Sequence, residues 1–456
     1  MLRIFLKKQK KVLKVAVLIN KLSALINIRM RTMFLFAHSL FTFLLISING
    51  VFAQEKNISH VYQYAREVVD TMASFSMHGR GYVNDGDKIA ANYISEEFKK
   101  LALLSFTKDY YQKFNFPVNT FPNTISLAVD DKKLVPGKDF IIAPNCPSAI
   151  GKYNVVVADE GLVQKKRKFK KFLKQDFKDK IILVNDTGKQ TQELHSLLSN
   201  PCHANAIVSI RDKLIWSVSQ SPIHYPSIEL LRTSVLSAKE ISFEIQNKFI
   251  ADHPSQNVVG YIKGSLHPDS FIVFSAHYDH LGQMGKDVYF PGANDNASGC
   301  AMLLNLAKWY TAPANKPQKS IVFIAFAGEE AGLLGSKYFT EAPLMPLNNI
   351  CFLLNMDILG TGEEGITVVN GSVFKNEFNK LVKINDQNHF IKEIKMRGKA
   401  ANSDHYYFSE KGVKAFFIYT MGGINAYHDI YDRPETLPLN KFDSLFNLIT
   451  LFCSSL

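Results

Sequence analysis

Seven residues in the C-terminal half carry side chains that hold metals or move protons: His277, Asp279, Asp295, Glu329, Glu330, Asp357 and His428. Two imidazoles with several carboxylates suit a borderline divalent ion such as zinc. A carboxylate shared between two ions gives each of them three protein ligands and leaves room for a water. A two-metal site follows from that count. His277 and Asp279 are two apart, so on extended backbone they point the same way, and Asp279 can accept the imidazole N–H and fix its tautomer. Glu329 and Glu330 are adjacent and should diverge, one to bind metal while the other stays free as a base. Any one of these residues alone reads as a solvated loop carboxylate or a surface histidine. Together at the ends of strands they read as a metal centre.

The strands that must position them are visible as apolar runs. Phe271 to Ala276 ends at His277-Tyr278-Asp279-His280, Ile321 to Ala327 ends at Gly328-Glu329-Glu330, and Ile350 to Met356 ends at Asp357. Further strands are expected at Ile366 to Asn370 and Ala415 to Thr420, and helices at Ala297 to Tyr310, Phe374 to Asn388 and Leu439 to Leu451. This alternation predicts an α/β fold, a βαβ sheet covered on both faces, whose ligands collect at the carboxyl ends of the strands. The turn from Pro291 to Gly299 sets Asp295 just before a helix, and Tyr427-His428-Asp429 follows a strand through a glycine-containing loop. Near the front, residues 57–75 and 86–101 have helical spacing. From about 115 to 250 the texture changes to short β-like runs, such as Lys180 to Val184 and Ala206 to Ile210, which reads as an inserted domain. Its basic stretch from Lys165 to Lys174 carries Phe169 and Phe172, the pattern of an amphipathic solvated face.

The series Ala276-His277-Tyr278-Asp279-His280, Gly292 to Gly299, Gly328-Glu329-Glu330 to Ser336, Asn355-Met356-Asp357 and Tyr427-His428-Asp429 resembles the co-catalytic zinc aminopeptidases of peptidase family M28 in order and spacing. The resemblance covers about 257–456, and Met77 to Tyr82 with the helix at 86–101 is similar to the family's N-terminal part. It implies a three-layer αβα sandwich with a mixed, mostly parallel central sheet, formed by residues 54–114 and 251–456, with a smaller inserted β-rich domain at 115–250. That insert is similar in position to a protease-associated domain, although Pro201-Cys202-His203 stands where a Gly-Ala pair is common. By resemblance, Asp295 bridges two zinc ions, His277 and Asp357 complete one, and Glu330 and His428 the other. Glu329 is then the general base acting on a metal-bound water, Asp279 supports His277, and Asp404 is a supporting residue. The family also implies a cis peptide between Asp295 and Asn296, and a peptide substrate with a free N-terminus. Two other outcomes share the fold: a single-zinc glutaminyl cyclotransferase, which the insert counts against, and an inactive binding ectodomain, which the complete ligand set counts against.

The remaining signals narrow the class. The 456-residue chain, 46% hydrophobic and 21% charged, is long enough for two packed units. Its formal charge of +12 is concentrated in residues 1–53, which hold nine Lys or Arg and no Asp or Glu, so the rest carries 12 − 9 = +3. Charge therefore gives no reason to expect nucleic acid. A basic stretch ending at Arg31, the apolar run from Phe34 to Ile48 and the small-residue site Val51-Phe52-Ala53 predict an export signal cleaved after Ala53. The run falls short of the roughly 20 apolar residues of a membrane span, so no stable membrane insertion is expected after cleavage. The mature chain is expected outside the cytoplasm, whether periplasmic, cell-surface or secreted. The five cysteines show no C-x-x-C pair, which argues against a thiolate zinc site, and Cys146 and Cys202 are expected as buried free thiols, with a bridge between them the alternative. Gly360 to Gly365 fits G-x-G-x-x-G, but a β run follows where a phosphate cradle needs a helix.

Overall fold

The computed structural model describes residues 59–186, 191–235 and 237–456. The expected export signal lies outside the described residues. Among those described, no helix is long and apolar enough to cross a membrane. The folded unit is His60–Leu456.

In chain order the strands are β1 (Tyr111–Thr120), β2 (Ser126–Val129), β3 (Lys132–Lys133), β4 (Phe140–Ile142), β5 (Ala149–Asp159), β6 (Lys180–Asn185), β7 (Ala206–Arg211), β8 (Ser227–Leu231) and β9 (Glu240–Ile245). There follow β10 (Lys248–Ile262), β11 (His267–His277), β12 (Lys319–Phe326), β13 (Ile350–Met356), β14 (Gly365–Val369), β15 (Ile394–Met396) and β16 (Ala415–Met421). One sheet runs β1-β10-β12-β11-β13-β16-β14-β15, the other β3-β2-β9-β5-β6-β7-β8-β4. In the first, β12, β11, β13 and β16 are mutually parallel neighbours, while β1, β10 and β14 join antiparallel.

The central strands are apolar on both faces because both are covered. Alternate residues of β12 show the division: Ile321, Phe323 and Ala325 face one core, Val322, Ile324 and Phe326 the other. The first core is covered by the helices His60–Met72, Gly86–Lys100, Ser298–Thr311 and Phe442–Ser454, the second by Leu334–Glu341 and His405–Glu410 through Phe339 and Phe408. These are the three layers of an αβα sandwich. Burying a large apolar side chain contributes about 1.5–3 kcal/mol, so these two faces dominate the stability of the sheet that aims the site.

β1 and β10 form a long antiparallel ladder from Tyr111↔Val258 to Thr120↔Lys248. Beyond its far end the chain enters the second sheet, whose strands lie within Ser126–Ile245. The basic stretch folds as the helix Lys166–Phe172, with Phe169 and Phe172 buried and its lysines outward. Cys146 and Cys202 are both free and buried in different apolar clusters, so the thiol reading holds over the bridge.

Candidate metal centre

Three adjacent parallel strands, β12, β11 and β13, deliver side chains to one rim of the sheet. His277 is the last residue of β11, and Asp357 follows β13 directly. Glu329 and Glu330 come just after β12, beyond Gly328, whose φ of +67° makes the turn. Asp295 sits in the tight turn Ala293–Ala297 that opens the helix Ser298–Thr311, and its peptide bond to Asn296 is cis. His428 arrives from β16 by way of Gly422 and Gly423, both at positive φ.

The five expected ligands come together. His277 Nε2 lies 3.2 Å from Asp357 Oδ1 and 3.3 Å from Asp295 Oδ1. His428 Nε2 lies 3.1 Å from Asp295 Oδ2 and 3.3 Å from Glu330 Oε2. Each Asp295 oxygen thus faces a different imidazole, the arrangement a bridging carboxylate requires. A tetrahedral ion with bonds of about 2.0–2.1 Å spaces neighbouring donor atoms by roughly 3.3 Å, the separation seen in these four imidazole–carboxylate pairs, so the donor types and spacing suit zinc. A Glu329 oxygen lies within 4.8 Å of the donor atoms of His277 and Asp357, inside the same cluster.

The imidazole tautomers are set from behind. His277 Nδ1 donates to the backbone carbonyl of Asp279 at 3.1 Å, and His428 Nδ1 donates to the backbone carbonyl of Trp216 at 3.0 Å. Both Nε2 atoms are left to face the centre. The role expected of the Asp279 carboxylate is therefore taken by its main chain: the nearest Asp279 carboxylate oxygen stands 3.9 Å from His277 Nδ1. That carboxylate instead accepts from Tyr82 Oη at 2.8 Å and from the amides of Glu329 and Glu330 at 3.2 and 3.3 Å. The strand ends at His277, so the pleat that would align residues 277 and 279 does not continue. Asp279 thereby fixes the Glu329–Glu330 turn.

Further supports were not legible in the sequence. Asp357 Oδ2 accepts from Ser403 Oγ at 2.9 Å, and Ser403 Oγ accepts in turn from Asn355 Nδ2 at 2.7 Å. His280, set aside as a ligand, donates from Nδ1 to Glu330 Oε1 at 2.8 Å. Arg80 is fully buried, and its guanidinium donates to the carbonyls of Met72, Tyr278, Pro291, Gly292 and Asp295 at 2.7–3.1 Å. Asp432 accepts from the amides of Asn294 and Asp295. One arginine and one carboxylate thus grip the turn that holds Asp295. Arg80 lay inside the Met77–Tyr82 run, but no spacing rule marks a lone arginine as a backbone clamp. Asp404 is fully buried, with no hydrogen-bond partner on either oxygen.

The electrostatics call for cations. Burial, then the neighbouring Glu330, Asp357 and Asp404, hold the Glu329 carboxyl well above the usual range despite His277. Burial likewise pushes Asp404 up to about 7. Burial opposes charging of His428, yet Glu330 and Asp295 bring it up to about 9. The carboxylates outweigh desolvation at His277 too, leaving it well above the ordinary imidazole value. A pocket that draws protons onto its imidazoles is one whose negative charge suits divalent ions.

Residues 257–453 match the profile of Peptidase family M28. A probable zinc metalloprotease of Pyricularia oryzae is 41% identical over 113 residues, 24% of this chain and 22% of that protein. The aminopeptidase YwaD of Bacillus subtilis is 26% identical over 289 residues, 61% of this chain and 58% of the relative. The matched segments thus span less than two thirds of either relative's length. The solved structure of a zinc aminopeptidase from Bacillus subtilis superposes with a TM-score of 0.65 at 20% identity, covering 88% of this chain and 96% of that one. That likeness establishes the fold.

Proposed function

We propose that this chain, whose residues 257–453 match the Peptidase family M28 model, is a member of that family and an exported dizinc aminopeptidase that hydrolyses the first peptide bond of a substrate with a free N-terminus. The supporting observation is Asp295, with one carboxylate oxygen 3.3 Å from His277 Nε2 and the other 3.1 Å from His428 Nε2. His277, Asp357 and one Asp295 oxygen would hold one ion; His428, Glu330 and the other Asp295 oxygen would hold its neighbour.

Zinc bound there supplies Lewis acidity, which eases deprotonation of a water and polarises a carbonyl. Glu329, in the same cluster but outside both ligand sets, takes that proton and returns it to the departing amine. Its high proton affinity suits the return step, and cations in the site pull its pKa down toward the range where it can accept. The amides of Glu329 and Glu330 bonded to Asp279 hold the base while its proton moves.

The test is turnover of aminoacyl chromogenic substrates by the mature protein, with and without a chelator, alongside zinc analysis. Chelator-sensitive activity and two zinc ions per chain are expected. One ion per chain would move the reading to the cyclotransferase, and activity indifferent to chelation would end the metal mechanism. Sequencing the N-terminus of the exported protein should give Gln54 first, and an intact Met1 would refute the cleaved signal.

A further inference from the structure

We infer that the inserted sheet is part of the metal centre, because its residues 213–220 position His428. This rests on the proposed zinc site. Trp216 and His428 are joined twice: the Trp216 amide donates to the His428 carbonyl at 2.9 Å, and His428 Nδ1 donates to the Trp216 carbonyl at 3.0 Å. The second bond fixes the tautomer that leaves Nε2 facing Asp295 and Glu330. His428 has a φ of +53°, which a non-glycine residue adopts only where its surroundings hold it.

Trp216 is itself immobilised. It is buried, its Nε1 donates to the Ile142 carbonyl at 2.8 Å, and its ring stacks on Phe290 with centroids 4.7 Å apart. Phe290 directly precedes the Pro291–Gly292 stretch, which Arg80 grips independently, so the indole rests on a fixed wall while it braces His428. Either side of it, Lys213 Nζ donates to the Asn425 carbonyl at 2.7 Å and lies 3.2 Å from Asp429 Oδ2, while Gln220 Nε2 donates to the Ala331 carbonyl at 2.7 Å. The loop bearing His428 and the turn after Glu330 are therefore tied to one stretch of the insert. His428 and Glu330 are the ligands assigned to the same ion.

The inference predicts an ion-selective defect. Zinc affinities of the mature full-length protein are measured by competition with a chromogenic chelator. Trp216→Ala keeps both main-chain bonds to His428 but removes the indole that anchors the Trp216 carbonyl, so one ion should be lost at about 10-fold lower chelator concentration, the low end of the range for a disturbed ligand support, while the other ion keeps its affinity. Trp216→Phe, which can still stack on Phe290, should recover most of it. Hydrogen exchange on the wild-type protein gives an answer even if Trp216→Ala fails to fold: the Trp216 amide should be protected with zinc and lose protection when zinc is chelated. Two ions bound with wild-type affinity in a folded Trp216→Ala protein, or exchange at Trp216 indifferent to zinc, overturns the inference. A wild-type protein that binds no zinc refutes the metal reading instead.

Discussion

Arg80 is a single side chain on which the backbone around Asp295 depends. Its donors serve five carbonyls of buried residues, so Arg80→Met should take that partner from each and cost roughly 3 kcal/mol or more, read from the denaturation midpoint, with zinc binding lost alongside. Glu329→Gln should behave in the opposite way. It keeps shape and removes the base, so kcat should fall by about 10²–10⁴ while zinc content stays at the wild-type level, measured by steady-state kinetics with metal analysis. His405 contributes one limb of the pH dependence of stability. Burial pushes its pKa down to about 4, so between about 6.5 and 4 the unfolded chain takes up a proton that the folded chain refuses. The contribution of this group is therefore fully present above pH 6.5, falls as the pH drops, and levels near pH 4 after a loss on the order of 3 kcal/mol. His405→Phe should flatten that limb in denaturation curves taken across the range.

At this scale the sequence was informative where one residue type has few reasons to occur, and silent where roles are set by geometry. His277, Asp295, Glu330, Asp357 and His428 announce a metal because imidazoles and carboxylates at strand ends have little else to do. Ser403, Asp432 and Tyr82 look like any other polar residue until folding brings Ser403 to Asp357, Asp432 to the backbone of Asp295 and Tyr82 to the Asp279 carboxylate. The Asp279 carboxylate was assigned the wrong partner because period-two reasoning was carried one residue past the end of its strand.

At the scale of elements, the junction of the helix Ser298–Thr311 with β13 decides where Asp295 sits. Gly299 packs so closely that a Cβ would lie 2.2 Å from Asn296 Oδ1 and 2.4 Å from the Met356 carbonyl. Gly299→Ala should therefore push the helix away from the sheet, cost about 1–3 kcal/mol and disturb the Asp295 turn, detected as a lowered midpoint together with weakened zinc binding. The strands of this layer were legible because burial on both faces leaves unbroken apolar runs, as at Ile321–Phe326. The connection from residue 74 to 85 was not. It is a chain of short turns with His78, Arg80, Asn84 and Asp85 at positive φ, and no periodicity records such a path.

At the scale of the whole molecule, zinc and folding should be linked. Ions that bind only the folded state stabilise it by RT ln(1 + [L]/Kd), about 4 kcal/mol for an ion held at 1,000 times its Kd. Chelation should thus lower the melting temperature measurably and zinc, added back, should restore it; identical melting curves with and without chelator would mean that the ligand cluster binds nothing. The fold class was readable at this scale because layers follow from alternating patterns. The attachment of the insert was not, because β1 and β10 meet only through contacts distant in sequence.

That ladder has a topological consequence. Thr120 and Lys248 are opposite each other in the register, so the chain leaves the first sheet and re-enters it through one doorway two strands wide. A tight turn joining those two positions could close the doorway and remove everything beyond it without cutting any other strand of the layer. The truncated protein should retain its sheet, yet His428 would lose the carbonyl it leans on. An excision that topology makes easy is one that the chemistry is expected to forbid.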